Sequence, residues 1–123
     1  MMLTIALDRD SVHAGDDLSS HASSIKLDLT ATLRTLFEAI QTMRYLPGIS
    51  GGEASWVICA SGKTIGVLAQ QWATPKLVVP IESQVKQVFQ DNEPRLLFKY
   101  WCQTDPDLVF SRIKAGEALP SRY

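Results

Sequence analysis

Between Arg9 and Ser24 the chain reads RDSVHAGDDLSSHASS, a polar stretch flanked by apolar runs. It places His13, Asp16, Asp17 and His21 within nine residues, beside Asp10. Imidazole nitrogens and carboxylate oxygens are ligands for zinc and related ions. The spacing, however, matches no established metal motif, so no metal and no cofactor is assigned. The carboxylates offer a second chemistry, general acid and base work, which needs environments that push two pKa values apart. A third is simpler: exposed carboxylates pair with arginines and lysines of another molecule. A polar loop of this length inside a small domain is typical of functional loops.

Other catalytic sets are incomplete. Cys59 and Cys102 each lie in an apolar run and read as buried, reduced thiols. Both histidines belong to the one loop, and no Gly-x-Ser-x-Gly elbow occurs, so a nucleophile with its base is not assembled. Gly62-Lys63-Thr64 lacks the earlier glycine of a phosphate-binding loop and precedes strand residues, which makes it a turn. The reading is therefore not an enzyme. Trp56 and Trp101 sit within apolar strands and read as core. Trp72 follows Gln70 and Gln71 at a strand end, where it serves as an interface anchor or as a lid on the core.

Composition narrows the field. The chain has 123 residues, 46% of them hydrophobic, enough for a single globular domain. A formal net charge of −1 argues against nucleic-acid binding, which favours a basic excess. Residues 1–60 hold seven acids against four bases, whereas residues 61–123 hold six against eight. The first half is thus the negative end and would steer a basic partner. No secretory signal opens the sequence and no apolar run reaches the ~20 residues of a bilayer span. A cytoplasmic protein is expected, with no membrane partner.

The elements that must position these groups follow from periodicity. Met2 to Asp8 and Ile25 to Leu29 alternate as strands, the polar loop tipping a long hairpin. Thr30 is the expected cap of a helix with Leu33, Leu36, Phe37, Ile40 and Met43 on one face, ending near Tyr45 before Pro47. Ala54–Ala60 and Thr64–Gln71 form a central hairpin, with Gly66 marking a bulge or a close backbone approach. Lys76–Val79 reads as a short edge strand or the approach to a helix over Ile81–Gln90. Arg95–Gln103 alternates as a strand. The last helix starts at a Thr104 or Asp105 cap with Pro106 at its first position and stops at Gly116. This predicts one α+β domain over residues 1–123, a mostly antiparallel sheet of five to six strands with three helices packed on it, and residues 117–123 as a tail.

The segments TLRTLFEAI, YLPGISGGEASWVI, VLAQQW and FKYWCQTDPDLVF, within a compact domain bearing an acidic loop and a strand-end Trp, resemble bacterial immunity proteins. Such proteins neutralise a toxin in contact-dependent growth inhibition and similar polymorphic toxin systems. The resemblance implies a non-enzymatic protein that occludes a cognate toxin domain, often a nuclease, with an acidic surface. Asp8, Asp10, Asp16, Asp17 and Glu53 would stand in for phosphates, and Trp72 would pack on an apolar patch. Two other readings stay open at this point: a small metal- or carboxylate-dependent enzyme built on residues 9–24, and an oligomerising subunit joined through an edge strand.

Overall fold

The computed structural model describes residues 1–10, 21–47, 54–90, 93–102 and 104–120. They build a six-stranded mixed sheet in the order β2-β1-β6-β3-β4-β5. Its strands are β1 (Met2–Arg9), β2 (Ser23–Asp28), β3 (Ser55–Ala60), β4 (Lys63–Ala69), β5 (Lys76–Leu77) and β6 (Arg95–Tyr100). Neighbours are antiparallel except β1 and β6, which run parallel from Ala6↔Arg95 to Arg9↔Phe98. The helices are α1 (Leu33–Thr42), α2 (Val85–Val88) and α3 (Pro106–Ala115). The expected α+β class and mostly antiparallel sheet are both present.

Alternation sorts the side chains onto two faces. Ile5 and Leu7 of β1, Trp56 and Ile58 of β3, and Leu96 and Phe98 of β6 meet Leu33, Leu36, Phe37 and Ile40 of α1 in the main core. Burying each such side chain contributes about 1.5–3 kcal/mol before entropy is subtracted. Phe37 meets Phe98 edge-on, ring centroids 6.5 Å apart. The opposite face carries a smaller cluster in which Val57, Cys59 and Val67 pack under Val109 of α3. Both faces of the β3–β4 hairpin are buried, as its continuous apolar runs require. Ser61 and Gly62 turn this hairpin with φ of 49° and 85°, the double left-handed geometry of a tight two-residue loop.

Gly66 proves to be both a bulge partner and a close approach. The β3–β4 register shifts between Ile58 and Cys59, opposite Gly66 and Thr64. A Cβ on Gly66 would stand 2.2 Å from the Lys76 carbonyl oxygen. Only glycine lets β5 lie this close.

Two helix boundaries differ from expectation. Thr32, not Thr30, caps α1: its side chain accepts from Thr35 N at 3.3 Å. Thr30 instead donates through its N–H and its hydroxyl to Asp28 Oδ1. The helix expected over residues 81–90 shrinks to the single turn Val85–Val88. The reason lies in α1, whose first N–H groups have no partner within their own helix. Ser83 O accepts from Leu33 N at 2.9 Å and Ile81 O from Arg34 N at 3.0 Å. This duty, a turn in which Ser83 N donates to Pro80 O, and the Thr32↔Gln84 bridge hold residues 81–84 out of the helix.

α3 begins and ends as its sequence dictates. Asp105 Oδ1 accepts from Asp107 N at 3.0 Å, Pro106 opens the helix, and Gly116 closes it at φ 72°. Beyond it the chain is tied down more than a tail would be: Trp101 Nε1 donates to Pro120 O, and Leu119 packs on the second cluster. Trp101 is therefore half-buried past the end of β6 rather than a core strand residue. Cys59 is buried; Cys102 is only half-buried, at φ 56°, which corrects its reading as a core thiol. Both cysteines are free.

Candidate functional site

β1, α1, β4 and β6 all end at the same edge of the fold. Arg9 pairs with Phe98 near the end of β6, Tyr100 pairs with Trp56 at the start of β3, and Trp56 pairs with Leu68 near the end of β4. Tyr45, just past α1, reaches the same edge, where its hydroxyl donates to His21 O at 2.5 Å. The connections β1–β2, α1–β3, β4–β5 and β6–α3 consequently leave from one end of the sheet.

A cup of about 400 Å³ opens there. Trp56, Leu68 and Ile40 line it from the core, Tyr45, Leu46 and Pro47 from the chain after α1, and Trp72 from beyond β4. Gln41, Arg44 and Gln70 supply its polar groups. Gln41 Nε2 donates to Ala73 O at 2.6 Å, locking the end of α1 to the segment after Trp72. Tyr45 lies in a tilted contact with Phe98, centroids 6.3 Å apart. Burial, reinforced by the nearby Asp8 charge, pushes its phenol up to about 12. Tyr100, 5.0 Å from Trp56 between centroids, is likewise pushed up by burial.

A second concavity of about 370 Å³ lies on the other sheet face. α3 packs against β4 and β3 on that face. The adjoining β1 and β6 residues Asp8, Arg95, Leu97 and Lys99 line the groove, whose lining also includes Cys59.

The residues expected to grip a partner fall in different places. Asp8 is exposed on this groove, its Oδ1 accepting from Arg9 N at 2.8 Å. Asp10 is half-buried and has a structural duty: Oδ2 accepts from Tyr100 N at 3.0 Å while its own N–H donates to Phe98 O. Trp72 is half-buried in the cup and packs against both clusters, so it is at once lid and exposed ring. Asp16, Asp17 and Glu53 lie outside the described residues, as does His13. Asp8 and Trp72 line separate concavities rather than one surface. Among the described residues no three His, Cys, Asp or Glu side chains gather to hold a metal ion.

The cup residues Arg44, Tyr45 and Leu46 are additions to those singled out from the sequence. Their only signal was position, a helix end running into Pro47. Comparison with protein-family models, curated proteins and solved structures finds no match. Among the described residues no helix is long and apolar enough to cross a membrane.

Proposed function

We propose that this chain is a non-enzymatic immunity protein of a contact-dependent growth inhibition or similar toxin system, binding a cognate toxin domain through the loop end of its sheet. The observation that carries this reading is that the ends of β1, α1, β4 and β6 lie at one edge of the fold, beside the half-exposed Trp72. A rigid sheet that offers its loops and an aromatic ring at one end is a frequent recognition design. The negative first half of the chain supports capture of a basic surface, and Asp8 is exposed for it. Asp10 is better regarded as the support behind that surface, given its bond to Tyr100 N. Asp16, Asp17 and Glu53 keep the contact role that their sequence context suggests.

The mechanism is occlusion: the toxin's cleft is covered, and electrostatic steering speeds the encounter. Steering of this kind weakens as salt shortens the Debye length to about 8 Å at physiological ionic strength. The test is to mix the purified protein with the toxin domain encoded next to its gene and run gel filtration. Co-elution at micromolar concentration, lost in Asp16→Lys with Asp17→Lys at unchanged Tm, supports the reading. Separate elution of the two wild-type proteins overturns it.

A further inference from the structure

We infer that the cup between Trp56 and Trp72 is a binding site for a small aromatic carboxylate. Its volume, about 400 Å³, lies within the range of small-molecule sites. Aromatic rings and aliphatic groups form most of its wall, which favours a flat apolar ligand. The charge is one-sided. Arg44 is the one charged side chain among the described residues lining the cup. No ion pair or hydrogen bond engages its guanidinium among the described residues, and none engages the Trp72 indole N–H. Gln41 and Gln70 are neutral. An apolar cup with an unpaired cation at its rim is complementary to an anion carried on a ring, and a guanidinium matches a carboxylate in shape as well as charge.

The site is preorganised. Gln41 is bonded across to Ala73, Tyr45 to His21, and Trp72 N to Ala69 O at 2.9 Å, so both walls are fixed before a ligand arrives. The inference is independent of a protein partner, because the ligand needs only the isolated chain.

The test uses a matched pair of probes, N-acetyl-phenylalanine and its neutral amide, titrated at low salt. The indole N–H signals of Trp56, Trp72 and Trp101 are followed by NMR. Trp101 is the internal control, since it does not line the cup and its indole N–H is already bonded to Pro120 O. Saturable shifts at Trp56 and Trp72 are expected, with the acid binding about fivefold more tightly than the amide, the worth of one partly exposed charge pair. Arg44→Gln should bring the acid to the level of the amide and leave the amide unchanged. Trp72→Phe, which keeps a ring in the wall, should weaken both probes. Equal affinity of acid and amide for the wild type overturns the inference. So does the absence of saturation at Trp56 and Trp72 up to about 10 mM, beyond which affinity is too weak to mark a site. Neither result bears on co-elution with a toxin domain, so the two readings fail separately.

Discussion

The Lys76 ammonium stands over the Trp72 ring, 4.8 Å from its centroid. The same ammonium pairs with Asp107 in the first turn of α3. The two-residue strand β5 thus links the lid at the end of the main core to the helix covering the other face. Trp72 packs against both clusters, so this contact couples the layers where the loops emerge.

Lys76→Met keeps most of the stem and removes the charge. Loss of the cation–π contact and the exposed ion pair should cost about 1 kcal/mol in urea unfolding. Asp107→Asn, which removes the pair but leaves the ammonium over the ring, should cost less. A larger loss in Asp107→Asn would show that the ring contact contributes nothing.

Gly66→Ala should be among the most damaging single-methyl changes in the chain. The new Cβ would stand 2.2 Å from Lys76 O and 2.7 Å from Leu77 Cδ2, and a backbone oxygen cannot step aside without detaching β5. A loss of about 2 kcal/mol or more is expected. Gly62→Ala makes the contrast: nothing lies within 4 Å, and only the positive φ of 85° is strained, at a cost of about 1 kcal/mol. Equal midpoints for the two variants would remove the steric account.

Tyr45 makes stability depend on alkaline pH. Its phenol ionises near 12 in the folded chain because burial, then the Asp8 charge, disfavours the phenolate. The unfolded chain ionises near its ordinary value of about 10. The raised pKa therefore contributes stability that is fully present below pH 10 and lost as pH rises towards 12. Tyr45→Phe should flatten part of that decline, and at neutral pH it should cost about 1 kcal/mol for the lost bond to His21 O. Tyr100, raised in the same direction, leaves a residual slope. A variant with the same Tm decline above pH 10 as the wild type would refute the assignment to Tyr45.

What could be read from the sequence was local. Alternation of Leu3, Ile5 and Leu7, the helical face of Leu33 to Ile40, and the Asp105, Pro106 and Gly116 signals all act within a few residues, and each element formed where they lie. What escaped was set by distant partners. Ile81, Val85, Val88 and Phe89 have helical spacing, yet the Ile81 and Ser83 carbonyls are taken by the start of α1. The parallel β1–β6 pairing carries no local mark. The site was legible in the same uneven way. Trp72 stood out through its polar neighbours, whereas Arg44 and Tyr45 became cup residues only when α1 was docked beside β4. Asp10 resembled the other loop acids, because its partner Tyr100 is 90 positions away.

That long-range bond separates two acids that look alike in sequence. Asp10 Oδ2 accepts the Tyr100 N–H at 3.0 Å and so extends the β1–β6 pairing by one side-chain rung. Asp10→Ala leaves that N–H without its carboxylate, which should lower stability by about 1–2 kcal/mol. Asp10→Asn retains an oxygen acceptor and should lose less. Asp8 is exposed and, among the described residues, accepts only from the adjacent Arg9 N, so Asp8→Asn should leave Tm nearly unchanged. If the chain captures a basic partner as proposed, Asp8→Asn should slow association at low salt without affecting stability. Asp10→Ala should reveal itself first in the unfolding curve. The reverse pattern, a destabilised Asp8→Asn and an unaltered Asp10→Ala, would show that the β1–β6 junction does not depend on the Asp10 carboxylate.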